Sequence, residues 1–300
     1  MTTEFEHVTV MLEEVVAAIA PRPGGVYADC TLGGAGHAKA VLEASAPDGR
    51  LLGIDRDEIA LAAAGGRLAM YGERATLVHG ELADLPSLAR ASGFPLFDGV
   101  VADLGVSSPQ FDDAARGFAF QGTGPLDMRM DRSRGETALE LIDRVSESEL
   151  ADILYELGEE RRSRPIARSI LRAHDAGELV TTTDLVRAVH RVTGPRKGRS
   201  TDPATRTFQA LRIAVNRELE QLESLMAALP DVLADDGVVA ILTFHSLEDR
   251  IVKHAFRDDE RLEPLFKKPR TASEEELERN PRSRSAKLRV AKRVPRGGPS

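Results

Sequence analysis

The stretch Tyr27–Glu43, YADCTLGGAGHAKAVLE, limits the fold of this chain more than any other. Val26, Tyr27 and Ala28 form a short apolar run ending at Asp29, and Ala38, Ala40, Val41 and Leu42 begin a helical pattern. Gly33, Gly34 and Gly36 occupy the bend between them. Without Cβ atoms the backbone turns tightly and approaches a ligand, while the N–H groups opening the next helix point at whatever sits in front of them. Strand, glycine turn and helix in this order suit a nucleotide-like cofactor. Glycines between a strand and a helix are also ordinary turn chemistry, so the assignment needs a second mark.

The second mark is the next strand, Arg50 to Asp57, where Leu51, Leu52, Gly53 and Ile54 run into Asp55. In doubly wound sheets a carboxylate at the end of the second strand, about 20 residues after the glycine turn, accepts hydrogen bonds from ribose hydroxyls. Asp55 has that spacing. An alanine-rich helix, Ile59 to Tyr71, and a third strand, Thr76 to His79, follow, and the loop after them places Leu82 either beside an adenine or in the core. Phe97 to Asp103, FDGVVAD, is a continuous apolar run of the kind a strand buried on both faces shows. The polar, proline-containing loop Leu104 to Gln110 lies at its carboxyl end, where open α/β sheets put their chemistry. Asp103 is therefore the catalytic candidate. Ahead of the glycine turn, Val8, Val10, Met11, Val15, Val16 and Ile19 predict a leading helix stopped by Pro21, with His7 in a structural role.

From Gln121 the alternation of strand and helix lapses. Ser146 and Glu149 predict a capping box, Pro165 opens a second helix, and Thr183 caps a third that ends at Gly194. Asp202 and Pro203 start one long helix through Phe208, Leu211, Val215, Leu219 and Leu222, after which Val238 to Phe244 reads as another buried strand. Ser246 and Asp249 read as a capping pair, and His245 as a hydrogen-bonded structural residue ahead of a role in the site. In the tail Leu288, Val290 and Val294 alternate with basic residues, as on an edge strand running antiparallel. The fold class is α/β: a Rossmann-like sheet, residues 1–112 and 213–300, interrupted by an all-helical insertion, 113–212.

A formal net charge of -8 and a pI near 5.5 argue against a protein that coats nucleic acid indiscriminately, and leave room for a local basic patch. Arg191, Arg196, Lys197, Arg199 and Arg206 cluster around Pro203, and Arg282, Arg284 and Lys287 in the tail. The single cysteine, Cys30, excludes an intrachain disulfide framework and a cysteine-rich zinc site. The chain opens with Glu4 and Glu6 rather than a basic and then apolar segment, so the expectation is a cytoplasmic protein with no membrane attachment.

Taken together, DCTLGGAGH at 29–37, DLGVSSPQ at 103–110, GPLDMRM at 124–130, TFQALRIAVNREL at 207–219, FHSLEDRIVK at 244–253 and NPRSRSAKLRVAKR at 280–293 strongly resemble one family. It is the bacterial small-subunit ribosomal RNA methyltransferase H family, and the motifs occur in the same order over nearly the whole chain. The resemblance implies methylation of N4 of a cytosine in the decoding region of 16S ribosomal RNA within the small ribosomal subunit, with S-adenosylmethionine as donor and no metal. It implies cofactor contacts from Ala35, Gly36, His37, Asp55, Leu82, Asp103 and Gln110, and makes the helical insertion the substrate-recognition domain. Leu82 departs from the Phe of many members. FDGVVADLGV also aligns with the strand and loop of amino-methyltransferases carrying an Asp/Asn-Pro-Pro-aromatic motif, with Leu104 and Gly105 replacing both prolines. Asp103 then stands as acceptor for the amine, as a cofactor contact, or as both. The oligomeric state stays open, a homodimer included. The rival readings are a dinucleotide-dependent oxidoreductase, a methyltransferase with another acceptor, and a noncatalytic RNA-binding assembly factor.

Overall fold

The structure, a computed structural model, describes residues 9–120, 122–195, 198, 201–295 and 297. Up to residue 105 helices and strands alternate: α1 (Leu12–Ile19), β1 (Val26–Asp29), α2 (Gly36–Ala44), β2 (Arg50–Asp55), α3 (Glu58–Leu68), β3 (Ala75–His79), α4 (Leu85–Ala91) and β4 (Phe97–Asp103). β2 ends two residues before its predicted limit because the Asp57 carboxylate accepts from the N–H of Ile59 at 3.0 Å and caps α3. The leading helix starts at Leu12 and ends at Ile19, because Ala20, at φ 47°, has already left the helical region before Pro21. His7 and Val8 lie outside the described residues.

Residues Val106–Glu218 form a separate compact unit, beginning earlier and ending later than the predicted 113–212. It holds α5 (Ser108–Asp112), α6 (Ala138–Arg144), α7 (Glu147–Glu156), α8 (Ser163–Asp175), α9 (Thr182–Thr193) and α10 (Ala204–Asn216) around a core that includes Ile142, Leu154, Ile166, Ile170, Leu185 and Leu211. Ser146 and Glu149 close the capping box of α7, the Ser146 N–H donating to Glu149 at 2.8 Å. For α9 the cap is Thr181 rather than Thr183, because Asp184 three residues on accepts from the Thr181 N–H at 2.8 Å and closes the box reciprocally. The single long helix expected from Asp202 to Leu222 is two. Arg217, at φ 50°, breaks it, and the side chain of Asn216 is committed elsewhere. That amide donates to the carbonyl of Met128 at 2.7 Å and accepts from the N–H of Met130 at 2.7 Å.

Past the break, α11 (Glu218–Val232), β5 (Leu233–Thr243), α12 (Ser246–Asp258), β6 (Leu262–Pro264), β7 (Arg270–Thr271), α13 (Glu274–Arg279) and β8 (Lys287–Arg293) complete the first unit, residues 1–105 and 219–300. Among the described residues its sheet runs β3-β2-β1-β4-β5-β8-β6, with β7 also beside β8. β1 to β5 are parallel and β8 is antiparallel to β5. β8 is not the edge strand its alternation predicted: β6 pairs with its far side, and Pro264 helps to make that short strand a poor template for further pairing. Successive residues point to opposite faces. Ala28, Leu52, Val100 and Val239 pack with Leu85 of α4, Leu225 of α11 and Val252 of α12, while Tyr27, Leu51, Val101 and Ala240 pack with Val15 of α1, Val41 of α2 and Leu68 of α3. Strand order reverses between β1 and β4, and Asp29 and Asp103 end those two strands.

Replacing Asn216 by Ala leaves two buried backbone groups of the 128–130 segment without their partner. The expected loss is about 2–4 kcal/mol in the stability of the helical unit, read as a lower urea midpoint. An unchanged midpoint would show that the break at Arg217 needs no support from Asn216.

Candidate active site

Three carboxylates end three neighbouring parallel strands. Asp29 is 2% exposed and accepts from the N–H of Thr31 at 3.1 Å and from the N–H of Ala38. Ala38 lies in the first turn of α2, whose N-cap position, Ala35, has no side chain to close it. Asp29 therefore does from β1 what a cap residue does in sequence. Burial pushes its carboxyl up to about 7, against those two hydrogen bonds and with the charge of Asp55 adding.

Asp55 accepts from the N–H of Gly33 at 2.7 Å through Oδ2 and from that of Asp57 at 2.8 Å through Oδ1. Burial again raises its pKa and the two N–H groups oppose the shift. One bond to each oxygen leaves acceptor capacity on both. The bond to Gly33 also sets the glycine turn, where Gly33 at φ 47° and Ala35 at φ 59° are both left-handed.

Asp103 differs from both. Its N–H donates to the hydroxyl of Thr31 at 2.6 Å, which ties β4 to the turn after β1, but its own Oδ1 is buried with no hydrogen-bond partner. Burial pushes this carboxyl up to about 8, and the charges of Asp29 and Glu248 push the same way. A buried carboxylate oxygen without a donor is costly and uncommon. In chemical terms the position is ready to accept a hydrogen bond or to face a cation.

The glycine turn is covered from the N-terminal side. A Cβ on Gly36 would lie 1.8 Å from Oγ1 of Thr9, so that glycine makes room for residue 9. His37 is buried with Nε2 3.0 Å from the carbonyl of Val10, and the N–H of Met11 donates to Glu276 of α13 at 2.7 Å. The His37 ring thus holds residues 9–11 in place. Leu82 opens a single helical turn after β3, half-buried against the sheet's core. Its loop is fixed through Glu81, which accepts from Arg56 at 2.9 Å and from Gln221 of α11.

Of the residues singled out in the sequence, Ala35, Gly36, His37, Asp55, Leu82 and Asp103 follow or end strands of the α/β unit on its carboxyl side. Gln110 belongs to the helical unit, 6% exposed in α5, with its Oε1 accepting from the N–H of Ser107 at 3.0 Å. The capping pair after β5 is His245 with Glu248, not Ser246 with Asp249. Nδ1 of His245 accepts from the N–H of Glu248 at 3.4 Å, and Glu248 accepts from the N–H of Phe244 at 2.8 Å. Nε2 of His245 lies 3.2 Å from Glu248 Oε1, at an angle outside hydrogen-bond geometry. His245 is structural, as read from sequence. Glu248, 2% exposed, was missed because His is not among the usual cap residues, although a Glu three residues after it is a capping signal.

The basic residues are largely engaged. Arg191 pairs with Glu178 at 2.8 Å, Arg206 donates to the carbonyl of Glu159 at 3.1 Å, and Lys287 pairs with Asp249 at 3.2 Å. Arg282 and Arg284 are exposed, while Arg196, Lys197 and Arg199 lie outside the described residues.

No helix among the described residues is long and apolar enough to cross a membrane. The ribosomal RNA small subunit methyltransferase H of Sorangium cellulosum is 59% identical to this chain over 289 residues, covering 96% of the chain and 91% of the relative. The protein of the same name from a Cyanothece species is 49% identical, covering 97% of this chain and 96% of its own. Residues 4–294 match the MraW methylase family. With that match over nearly its whole length, and relatives this similar, the chain belongs to the MraW methylase family.

Proposed function

We propose that this protein transfers a methyl group from S-adenosylmethionine to N4 of a specific cytosine in the decoding region of 16S ribosomal RNA, within the small ribosomal subunit and in the cytoplasm. The observation that carries the chemistry is the buried, unpartnered Oδ1 of Asp103 at the reversal of strand order. The substrate is supported by the name shared by relatives 59% and 49% identical over nearly the whole chain.

The residues present fit the cofactor. Ala35, Gly36 and His37 form the turn that receives it, Asp55 retains acceptor capacity for ribose hydroxyls, Leu82 offers an apolar face to the base and Asp103 ends the neighbouring strand, while the family resemblance adds Gln110. When bound, S-adenosylmethionine supplies a methyl group already activated on a sulfonium, so the protein's task is positioning. The harder partner is the amine, whose lone pair is delocalised into the cytosine ring. Asp103, accepting from that amine, favours a pyramidal nitrogen and disperses the charge that develops on it. With its carboxyl pushed up to about 8, the same residue is matched to take the proton the amine gives up. The base reaches such a buried group only unpaired or flipped out. Substrate recognition falls to the helical unit, 106–218.

Small subunits lacking the modification, incubated with labelled donor, are expected to gain label on N4 of one cytosine. Asp103→Asn should lower kcat by about 100-fold or more while cofactor binding persists. Label on another nucleoside, or none on any subunit or RNA despite cofactor binding, would overturn the reading.

The pH dependence has a definite sign. An acid whose folded-state pKa is raised to about 8 is neutral below that value, and the reaction needs it ionised. kcat/KM should therefore rise with pH and level off above about 8. Stability runs the other way: the contribution of this group is present below its ordinary pKa and is lost as pH rises through 8. Asp103→Asn should consequently melt higher than the wild type at pH 9, with the difference vanishing near pH 4. Equal melting temperatures at both pH values would show that the buried carboxyl is not destabilised by its surroundings.

A further inference from the structure

The geometry points to the exposed arginine row of α8, Arg164, Arg168 and Arg172 with Arg161 in the turn before it, as the surface that holds the phosphate backbone of the RNA substrate. This inference rests on the RNA-methylation reading and names the part of the helical unit that serves it.

Steps of four residues place Arg164, Arg168 and Arg172 on one side of the helix, and all of them are exposed, as is Arg161. The opposite side, Ile166, Ala167, Ile170 and Ala173, is buried in the unit's core. The row does not help the helix that carries it. Like charges four residues apart repel along the helix, and Arg164 stands in the first turn, where the helix dipole disfavours a cation.

Partners within the chain do not offset that cost. Arg168 meets Glu147 at 3.0 Å, but the two side chains are 55% and 45% exposed, a pair of little worth in water and readily exchanged. Among the described residues no carboxylate pairs with Arg161, Arg164 or Arg172, and beyond Arg172 the helix closes on Asp175. Three other surface arginines do keep a carboxylate partner, in pairs as exposed on the arginine side as that of Arg168: Arg144 with Glu136 at 2.7 Å, Arg187 with Asp184 at 2.7 Å and Arg257 with Asp258 at 2.6 Å. In a chain of net charge -8, a row of four guanidiniums of which three have no carboxylate partner is a local excess of positive charge. Guanidinium is permanently charged and meets phosphate through two parallel N–H bonds, so a polyanionic backbone is the partner whose charge complements the row.

The test uses the full chain carrying Arg164→Gln, Arg168→Gln and Arg172→Gln together, with small subunits lacking the modification as probe. Every arginine–phosphate pairing removed should flatten the slope of log affinity against log salt by about 0.7–0.9, so the triple variant is expected to bring that slope down by about 2–3. KM for subunits should rise at least tenfold, with kcat, cofactor affinity and helix content unchanged. The control removes the same charge from three ion-paired arginines, Arg144→Gln, Arg187→Gln and Arg257→Gln, and should leave most of the slope. Equal slopes and KM values in the two triple variants would overturn the proposal. A flattened slope in the α8 variant of a protein that binds subunits but transfers no methyl group would support the row and sink the methylation reading. A wild type that does not bind subunits at all would sink both.

Discussion

Asp29 and Asp103 end adjacent parallel strands, and among the described residues neither forms an ion pair. Two carboxylates held this close in a low dielectric oppose each other's ionisation, and the surrounding structure answers one of them. Asp29 receives the N–H groups of Thr31 and Ala38, and Asp55 on the next strand receives those of Gly33 and Asp57. These bonds fix the glycine turn, the start of α2 and the start of α3, so the local backbone is shaped around its acids. Asp103 is tied to the same turn through its own N–H, on the Thr31 hydroxyl, but its Oδ1 stays bare. The two hydrophobic faces of the sheet supply the stability that such an arrangement costs.

What was legible in the sequence follows from how local each determinant is. β4 matches its predicted limits because the centre of a strand covered on both faces must be apolar, and Gly99 to Ala102 lie between Asp98 and Asp103. The glycine turn and Asp55 were readable because turn chemistry and strand-end acids act within a few residues. β8 was placed at an edge because nothing in its alternation reports the pairing with β6, a contact made by residues before it in sequence. The break at Arg217 was invisible for a similar reason. Val215, Leu219 and Leu222 keep a helical period across it, while the bonds that recruit Asn216 come from Met128 and Met130. Thr181 to Thr183 offer three hydroxyls in a row, and only the position of Asp184 selects the first.

The charged residues show the same limit more sharply. Counting cations near Pro203 and in the tail identifies clusters, but a cluster acts on an outside partner only to the extent that its charges are not consumed at home. Arg191 and Lys287 are paired within the chain, and Arg289 joins Lys287 on Asp249 at 2.7 Å. The α8 row drew no notice as a charge run because Arg164, Arg168 and Arg172 are separated in sequence by residues that include Ile166, Ala167 and Ile170 of the opposite face. Helical spacing gathers them on one side; the ion-pair pattern leaves three of the four without a carboxylate.

An acidic protein that acts on a polyanion must keep its acids from repelling the substrate, and burial contributes to that at the site itself. With its carboxyl pushed up to about 8, Asp103 is mostly neutral at pH 7, as a group with a bare oxygen in a low dielectric should be. A carboxylate carried on the surface would stay ionised and repel phosphate at every encounter. The neutral form lowers that repulsion while the base is entering. Ionised, as it is above about pH 8, the same group accepts from the amine. Under the proposed function the same desolvation that makes Asp103 expensive to fold also limits the charge that the RNA meets as it approaches.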